Sequence, residues 1–228
     1  MSFVVPAVPQ ATVPVEGISD LFPVHRIYCV GRNYAEHARE MGHDPDREPP
    51  FFFCKPADAV VANDSKIPYP LATGDLHHEI EQVVAIGKAG VNIPAAQALD
   101  YVYGYAVGID LTRRDLQAVA KKMARPWDSG KAFDNAAPCT AIRPASEIGH
   151  PDSGRVWLAI NGDLRQEGDL NQLIWSVPEI IEYCSGLWEL QPGDLIMTGT
   201  PAGVGPIQPG DRITGGVDGI GEIRVQVG

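Results

Sequence analysis

Two glutamates separated by one residue, Glu79 and Glu81, are the most informative pair of side chains in the sequence. The segment around them, HHEIEQVVAIG at 77–87, has the composition of a strand. Successive strand side chains point to opposite faces, so both carboxylates lie on one face, about 7 Å apart. Two such charges repel unless a cation neutralises them, and carboxylate oxygens favour Mg²⁺, Mn²⁺ or Ca²⁺. The pair predicts a metal site, although a solvent-facing edge strand would show the same pattern.

A third carboxylate, Asp110, strengthens the metal interpretation. It follows the uncharged strand 101–109, at a strand end where ligands are commonly presented. Three carboxylates suffice for a divalent cation. His77 shares the face of Glu79 and is a conceivable fourth ligand, but the sequence has no HExxH motif and no Cys/His zinc spacing. A surface or supporting role for His77 is the favoured interpretation.

A histidine and a glutamate, His37 and Glu40, are spaced to activate water. Asn33 with Glu36 three residues later predicts the start of a short helix, and Gly42 predicts its end. Side chains at i and i+3 share a helix face, so Glu40 could hold one imidazole nitrogen while the other takes a proton from water. A charged, solvent-facing helix is the alternative interpretation.

Three cations, a glutamine and a threonine are candidates for contacts with an anionic ligand. An acidic protein that binds an anion must concentrate positive charge locally, and the candidate groups are Lys55, Arg114, Gln117 and Lys131. TGTPAGVG at 198–205 lacks the lysine and helix of a phosphate loop, but a tight turn there could present Thr200 to a ligand. Solvated lysines and an ordinary hairpin are the alternatives.

Composition limits the class of protein. The chain has 228 residues, with 18 basic and 29 acidic side chains and a net charge of −11, which argues against nucleic acid or an anionic membrane as a partner. Four scattered cysteines without a CxxC pair indicate reduced thiols. The N-terminus lacks a basic signal-peptide region, and no apolar run reaches the roughly 20 residues of a membrane helix. A cytoplasmic protein is expected.

The pattern of elements predicts an α+β fold that is mainly β. Residues 1–25 read as an extended arm and 26–228 as one domain. Beside the strand at 77–87, strands are expected at 27–31, 51–55 and 101–111, and a meander of short strands from 156 onward. Capping-box spacings at Thr112 and Ser176 predict helices that stop before Pro126 and at Gly186. GHDPDREPP at 42–50 is expected to be a loop.

Taken together, these segments resemble the fumarylacetoacetate hydrolase family. Within it the chain is most similar to bacterial fumarylpyruvate and acylpyruvate hydrolases. The ordered set of motifs is specific although each piece alone is not. The matching segments are GRNYAEHAREMG, FFFCKPADA, LHHEIEQVVAIGK, GYAVGIDLTRRDLQ, GKAFDNAAP, NGDLRQEG and TGTPAGVGP.

The resemblance implies a rolled mixed β-sheet, a homodimer, and Mg²⁺ or Mn²⁺ held by Glu79, Glu81 and Asp110. It makes His37 and Glu40 a water-activating dyad and Lys131 a catalytic or oxyanion-stabilising cation. Cys54 departs from the glutamine expected in close relatives, but it alternates away from Lys55 on its strand and should face the other side. The implied substrate contacts are Lys55, Arg114, Gln117 and Thr200.

The resemblance implies metal-dependent hydrolysis of a C–C bond in a 2,4-dioxo acid. The expected reaction cleaves fumarylpyruvate to fumarate and pyruvate, as in gentisate-type aromatic catabolism. The substrate is then a small dicarboxylate or 2-oxo acid. Decarboxylation of oxaloacetate or isomerisation of a hydroxydienoate at the same site is the main alternative, because neither needs an attacking water. A catalytically silent metal-dependent binding protein is a third.

Overall fold

Strands dominate the computed structural model, which describes residues 3–36 and 48–228. In those residues the strands are β1 (Thr12–Pro14), β2 (Leu21–Pro23), β3 (Ile27–Gly31), β4 (Phe51–Lys55), β5 (Val60–Ala62), β6 (Ser65–Ile67), β7 (Leu76–His78), β8 (Ile80–Ile86), β9 (Val102–Ile109), β10 (Thr112–Arg113), β11 (Ala137–Cys139), β12 (Arg143–Pro144), β13 (Arg155–Ile160), β14 (Asp163–Asp169), β15 (Leu195–Met197), β16 (Gly205–Ile207), β17 (Arg212–Val217) and β18 (Gly221–Val227). The α-helices are α1 (Arg114–Lys122), α2 (Asp128–Lys131), α3 (Ala145–Ile148) and α4 (Val177–Leu187), and 3₁₀ turns cover Ala57–Ala59, Ala95–Tyr101 and Leu170–Gln172. The predicted mainly β, α+β fold class is confirmed.

The largest sheet is mixed and has β8 and β9 near its centre. Its strand order is β4-β3-β15-β8-β9-β11-β5, and β12 also pairs with β9. β3 and β15 run parallel, whereas β8 is antiparallel to both β15 and β9. β8 is buried along its whole length. This burial explains the apolar run at 83–86, since a strand covered on both faces has no solvent side to mark with polar residues; the polar Glu81 and Gln82 stand near its start.

A second sheet covers β8 and β9 and closes the core. It has the order β14-β13-β17-β18-β6, and its first four strands pair antiparallel. The predicted meander from 156 onward is wrong in its connections: β13–β14 and β17–β18 are hairpins, but α4, β15 and β16 lie between them, and β15 and β16 join other sheets. Ile80 of β8 reaches the backbone of Gly215 in β17, and the inward side chains of both sheets belong to one apolar cluster.

The sequence QPGD, which occurs twice, forms the same turn at both places. In the first copy the backbone N–H of Gln191 donates to Asp194 Oδ2 at 2.8 Å, and in the second the N–H of Gln208 donates to Asp211 Oδ2 at 2.7 Å. The glycine of each copy has a positive φ, 99° at Gly193 and 97° at Gly210. The turn places Asp194 directly before β15, where its buried carboxylate also binds Arg26 and His25 at the start of β3.

The predicted strand at 77–87 is wrong in one respect, because it is interrupted at Glu79. Residues 76–78 form β7, which pairs with β10 and β16 in a separate three-stranded sheet, and β8 begins at Ile80. The side chain of His78 and the backbone N–H of Ile80 both bind Gln166 of β14. This shared partner accounts for the change of sheet.

Two of the three predicted capping residues are used differently. Thr112 pairs with His77 in a short ladder, and α1 begins two residues later without a side-chain cap. Asn33 is buried and binds the backbone of Trp175 and Thr198. Only Ser176 caps its helix as predicted, through a complete capping box with Glu179. The Asn33 side chain binds distant backbone groups, whereas the Thr112 hydroxyl donates to the nearby Asp110 carbonyl and the Thr112 backbone pairs with β7.

The segment predicted as an arm contains two short strands, and the four cysteines are free. β1 and β2 form a two-stranded antiparallel sheet within the predicted arm. All four cysteines are free, and Cys54 is exposed while its neighbour Lys55 is buried, as the alternation of β4 requires. Among the described residues, the helices are too short and too polar to cross a membrane.

Asp194→Ala should destabilise the fold because it removes the acceptor that joins the QPGD turn to β3 beside the centre of the large sheet. We expect the free energy of unfolding to fall by about 2 to 4 kcal/mol, since Gln191 and Arg26 both lose a buried carboxylate. Urea denaturation followed by tryptophan fluorescence measures the change. Asp163→Ala is the matched control, because the side chain of Asp163 is 78% exposed and lies 3.7 Å from its only ion-pair partner. Equal stability of the two variants would contradict the assignment.

Candidate metal centre

The three acids singled out in the sequence converge at one end of the β8–β9 pair. Ile80 pairs with Ile109, and the N–H of Asp110 donates to the carbonyl of Glu79 at 2.8 Å, so Glu79 and Asp110 stand opposite each other. Glu81 lies two residues further along β8, on the same face. Carboxylate oxygens of all three lie within 4.8 Å of one another, and all three residues are buried. The structure therefore brings together the predicted ligand set.

Two cations from α1 and α2, Arg114 and Lys131, contact this acidic cluster. Lys131 Nζ lies 2.8 Å from Glu79 Oε2 and 2.7 Å from Asp110 Oδ2. The Arg114 guanidinium pairs with Glu79 Oε1. Burial alone would lower the pKa of Lys131, but the charges of Asp110 and Glu79 outweigh it, so the pKa is raised. Lys131 is therefore an ammonium ion and a hydrogen-bond donor at neutral pH, rather than a base.

Lys55 contacts the cluster from the protein interior, where its side chain is fully buried. Its Nζ lies 2.8 Å from Asp110 Oδ1 and donates to the carbonyls of Leu111 at 3.0 Å and Lys131 at 2.6 Å. Two protons of the ammonium group go to these carbonyls, whereas the contact with Asp110 is an ion pair without hydrogen-bond geometry, so Asp110 Oδ1 accepts no hydrogen bond from the described residues. All of these contacts are with the protein, and Lys55 is absent from the cavity wall described below.

Glu81 is the acid of the cluster that pairs with no cation among the described residues. Its Oε2 accepts one hydrogen bond, from the Gly199 N–H at 2.7 Å. Burial raises its pKa well above the ordinary value, and the charges of Asp110 and Glu79 add to that effect. An ionised carboxylate in this position is stable only beside a further cation. The oxygen donor set, its charge and its spacing therefore fit a divalent ion such as Mg²⁺ or Mn²⁺.

Two glycines bring the surrounding segments close enough. A Cβ on Gly130, in α2, would lie 2.9 Å from the backbone nitrogen of Gln117, so glycine lets α2 pack against α1 and bring Lys131 beside Arg114. Gly199 has a φ of 104°, which favours glycine, and a Cβ there would lie 2.7 Å from Asn33 Cβ. The turn at 198–200 depends on this residue to aim its N–H at Glu81.

A cleft opens onto the acidic cluster. Of the predicted substrate contacts, Arg114, Gln117 and Thr200 line it, and so does Lys131. Gln117 accepts a hydrogen bond from Arg114 at 2.6 Å through the i, i+3 spacing expected on α1. His77 is not one of the clustered acids' ligating partners but lies beside Arg114: its Nδ1 accepts from Arg114 Nε at 3.4 Å, and its Nε2 binds Asp75 at 2.9 Å. Burial lowers its pKa, and the charge of Arg114 lowers it further.

Two cations and two aromatic residues of the cleft wall are not among the residues predicted from the sequence. Arg32 and Lys121 add positive charge, and Phe53 and Trp127 add an aromatic surface, with ring centroids 5.7 Å apart. Lys121 follows Gln117 by four residues, so the helical repeat that links Arg114 to Gln117 could have identified it. No comparable signal marks Arg32, which stands directly after β3 with a φ of 58°.

The proposed dyad lies outside the described residues. His37 and Glu40 fall between 36 and 48, together with Gly42 and most of the predicted loop at 42–50. Their roles stay predictions from the sequence.

A mixed sheet that buries three neighbouring carboxylates, with cations beside them, is typical of proteins that bind a divalent ion. The model for the C-terminal region of fumarylacetoacetate (FAA) hydrolase matches residues 26–228. The chain therefore belongs to the fumarylacetoacetate hydrolase family, as its motifs indicate.

Relatives within this family carry different activities in their names. Fumarylpyruvate hydrolase from Pseudomonas aeruginosa, whose crystal structure contains Mn²⁺ and pyruvate, is 52% identical, with a TM-score of 0.97 and 99% of each chain covered. Mitochondrial oxaloacetate tautomerase FAHD1 from Mus musculus is 46% identical over 88% of this chain and 90% of its own length. Mitochondrial oxaloacetate decarboxylase from Dictyostelium discoideum is 41% identical over 86% of this chain and 89% of its own length.

Glu81→Gln should separate metal binding from folding. The amide keeps an acceptor for the Gly199 N–H but removes one ligand charge, so we expect Mn²⁺ binding to fall at least roughly 100-fold, as in the loss of a charged metal ligand. We also expect the metal-free variant to unfold at a higher temperature than the unchanged protein, because burial and like-charge repulsion no longer act on residue 81.

Calorimetric titration with Mn²⁺ and thermal unfolding with and without Mn²⁺ measure both effects. Glu222→Gln is the matched control, because it makes the same substitution at a carboxylate that is 59% exposed, pairs with Arg224 and is not part of the cleft wall. Unchanged Mn²⁺ affinity in Glu81→Gln would show that the acids do not share one ion.

Proposed function

We propose that the protein hydrolyses a C–C bond of a 2,4-dioxo acid, with fumarylpyruvate as the principal substrate and fumarate and pyruvate as products. The observation that carries this proposal is the buried cluster of Glu79, Glu81 and Asp110, in which Glu81 pairs with no cation from 3–36 or 48–228. The Pseudomonas aeruginosa structure, which holds Mn²⁺ and pyruvate, supports it at high identity.

The charges around the cluster favour a dianionic substrate. The three cations Lys55, Lys131 and Arg114 balance the three carboxylates. A divalent ion then leaves two positive charges in a poorly solvated site, which a dianion cancels. Arg32 and Lys121 extend this positive potential along the cleft wall and suit a carboxylate at the far end of the substrate, while Phe53 and Trp127 suit a planar unsaturated chain.

The chain's own residues would divide the work as follows. A divalent ion bound by Glu79, Glu81 and Asp110 would act as a Lewis acid toward the 2-oxo acid end of the substrate. Lys131 gives two protons to Glu79 and Asp110, so its third is available for the oxyanion formed when water adds to the distal carbonyl. Arg114 and Gln117 position the substrate from α1. Lys55 orients Asp110 and does not touch the substrate.

Water activation is assigned to His37, with Glu40 orienting its imidazole. His37 takes a proton from the attacking water, whose oxygen adds to C4 of the substrate. Cleavage of the C3–C4 bond leaves the electron pair on C3 of the pyruvate fragment, which a proton then completes. Helix spacing and the family motif support this part of the proposal.

Oxaloacetate is the second candidate substrate. The Mus musculus and Dictyostelium discoideum relatives, at 46% and 41% identity, are an oxaloacetate tautomerase and an oxaloacetate decarboxylase. Oxaloacetate is also a dianionic 2-oxo acid and would satisfy the same charges. Neither of its reactions needs an attacking water, so the two candidates differ in their need for His37. A homodimer, which the family resemblance supports, and a cytoplasmic location, where the four free cysteines would stay reduced, complete the proposal.

His37→Ala distinguishes the candidates. We expect hydrolysis of fumarylpyruvate to fall roughly 10²- to 10⁴-fold, the usual contribution of a general base, while Mn²⁺ binding and any turnover of oxaloacetate are retained. Parallel rates on fumarylpyruvate, acetylpyruvate and oxaloacetate measure this. His25→Ala is the control, because His25 is half-exposed and binds Asp194 instead. Near-normal hydrolysis by His37→Ala would refute the dyad.

Lys121→Met tests the charged wall of the cleft. We expect KM for fumarylpyruvate, a dianion, to rise roughly 5- to 10-fold, as for a partly exposed charge-assisted contact. KM for acetylpyruvate, a monoanion, should stay within about twofold, because that substrate has no distal carboxylate. Lys122→Met is a matched control that removes the same charge from the adjacent, exposed position of α1. Equal increases for both substrates would argue against a distal carboxylate site.

A further inference from the structure

The glutamine of the NGDLRQEG motif, Gln166, lies at the centre of a fully buried hydrogen-bond network that the proposed reaction leaves unexplained. It belongs to β14, at the irregular register where β14 pairs with β13, and its side chain has no exposed surface. Gln166 Oε1 lies 2.9 Å from His78 Nδ1 and 3.1 Å from the Ile80 backbone nitrogen. Its Nε2 lies 2.8 Å from both Thr200 Oγ1 and the Pro201 carbonyl oxygen.

The backbone partners fix the direction of every hydrogen bond in this network. The Ile80 N–H can only donate, so the amide oxygen must face it, and the Pro201 carbonyl can only accept, so the amide nitrogen must face that. Gln166 Nε2 therefore donates to Thr200 Oγ1. His78 must likewise carry a proton on Nδ1 to donate to Gln166 Oε1, whether its imidazole is neutral or charged.

This polarity leaves the Thr200 hydroxyl with one role. Its oxygen accepts from Gln166, so its single proton must point to another acceptor, and among the described residues no acceptor bonds to it. Thr200 is only 2% exposed, lines the cleft, and follows Gly199, whose N–H binds Glu81. A buried donor without a partner is costly, and a ligand oxygen in the cleft beside the acidic cluster would satisfy it.

We propose that Gln166 is a positioning residue that, supported by His78, fixes the Thr200 hydroxyl as a hydrogen-bond donor to an oxygen of a bound 2-oxo acid. The ligand class rests on the proposed function, whereas the polarity of the network rests on its geometry alone. The network pre-orients the donor before the ligand arrives, so that binding does not have to order the hydroxyl. β7, β8, β14 and the turn at 198–200 are thereby coupled to ligand binding.

Pyruvate binding to the Mn²⁺-loaded protein, measured by calorimetric titration, tests the proposal without turnover. Thr200→Val should weaken binding roughly 10- to 100-fold, the loss expected for a hydrogen bond to a charged group, and Thr200→Ser should retain most of the affinity. Thr140→Val is the matched control. The Thr140 hydroxyl is also buried, but it bonds to the backbone of Val107 and Ala141, away from the cleft wall.

The positioning residues are tested by non-additivity. His78→Leu and Gln166→Met should each weaken pyruvate binding roughly 3- to 10-fold, but neither should cost more than about twofold in a Thr200→Val background, because the donor they orient is already absent. His78→Asn should restore binding, since its amide nitrogen can donate to Gln166. If Gln166→Met fails to fold, His78→Leu carries the test, because it leaves Gln166 in place.

Three outcomes would overturn this proposal. If Gln166→Met and His78→Leu weaken pyruvate binding equally with and without the Thr200 hydroxyl, Gln166 and His78 have a merely structural role. Normal pyruvate binding by both variants, in a protein that hydrolyses fumarylpyruvate, would refute the positioning role and leave the proposed function intact. Failure of the unchanged Mn²⁺-loaded protein to bind pyruvate would refute the ligand class. Conversely, pyruvate binding with the expected pattern in a protein inactive on all three substrates would refute only the proposed reaction.

Discussion

Repulsion among three buried carboxylates is the constraint around which this structure is organised. Glu79, Glu81 and Asp110 place oxygens within 4.8 Å of one another away from solvent, an arrangement that is strongly unfavourable without compensating charge. The compensation comes from segments far apart in the chain. Lys55 belongs to β4, Arg114 to α1 and Lys131 to α2. These three elements can therefore pack around the buried acids only with all three cations in place.

This compensation is distributed unevenly. Among the described residues, Glu81 receives one backbone N–H and pairs with no cation, whereas Glu79 and Asp110 each contact two. This asymmetry separates a metal site from a structural ion-pair network, in which each acid would have its own partner. The fold thus retains local instability at Glu81, and the burial of β8 and β9 within two packed sheets offsets it elsewhere. Stability of the metal-free protein and affinity for the metal are therefore opposed at this residue.

The sequence was sufficient for the acids and insufficient for much of their surroundings. The alternation of β8 and the end of β9 predict the carboxylate set because strand geometry has a fixed period. The same segment hides the break at Glu79, which depends on Gln166, nearly ninety positions away. Thr112 and Asn33 match local capping patterns but serve tertiary contacts, and Arg32 has no periodic signal. Lys121, in contrast, is predictable from the repeat of α1, because it follows Gln117 by about one helical turn.

Lys55 has a broader consequence for how this scaffold diversifies. One ammonium group joins Asp110 to the carbonyls of Leu111 and Lys131, so the interior of the site behaves as a single locked unit that tolerates little change. Arg32, Lys121, Phe53 and Trp127 stand on the cleft wall and have no part in that lock. A substitution in the wall can therefore change the surroundings of a ligand without removing a metal ligand, in a family whose members carry hydrolase, tautomerase and decarboxylase names.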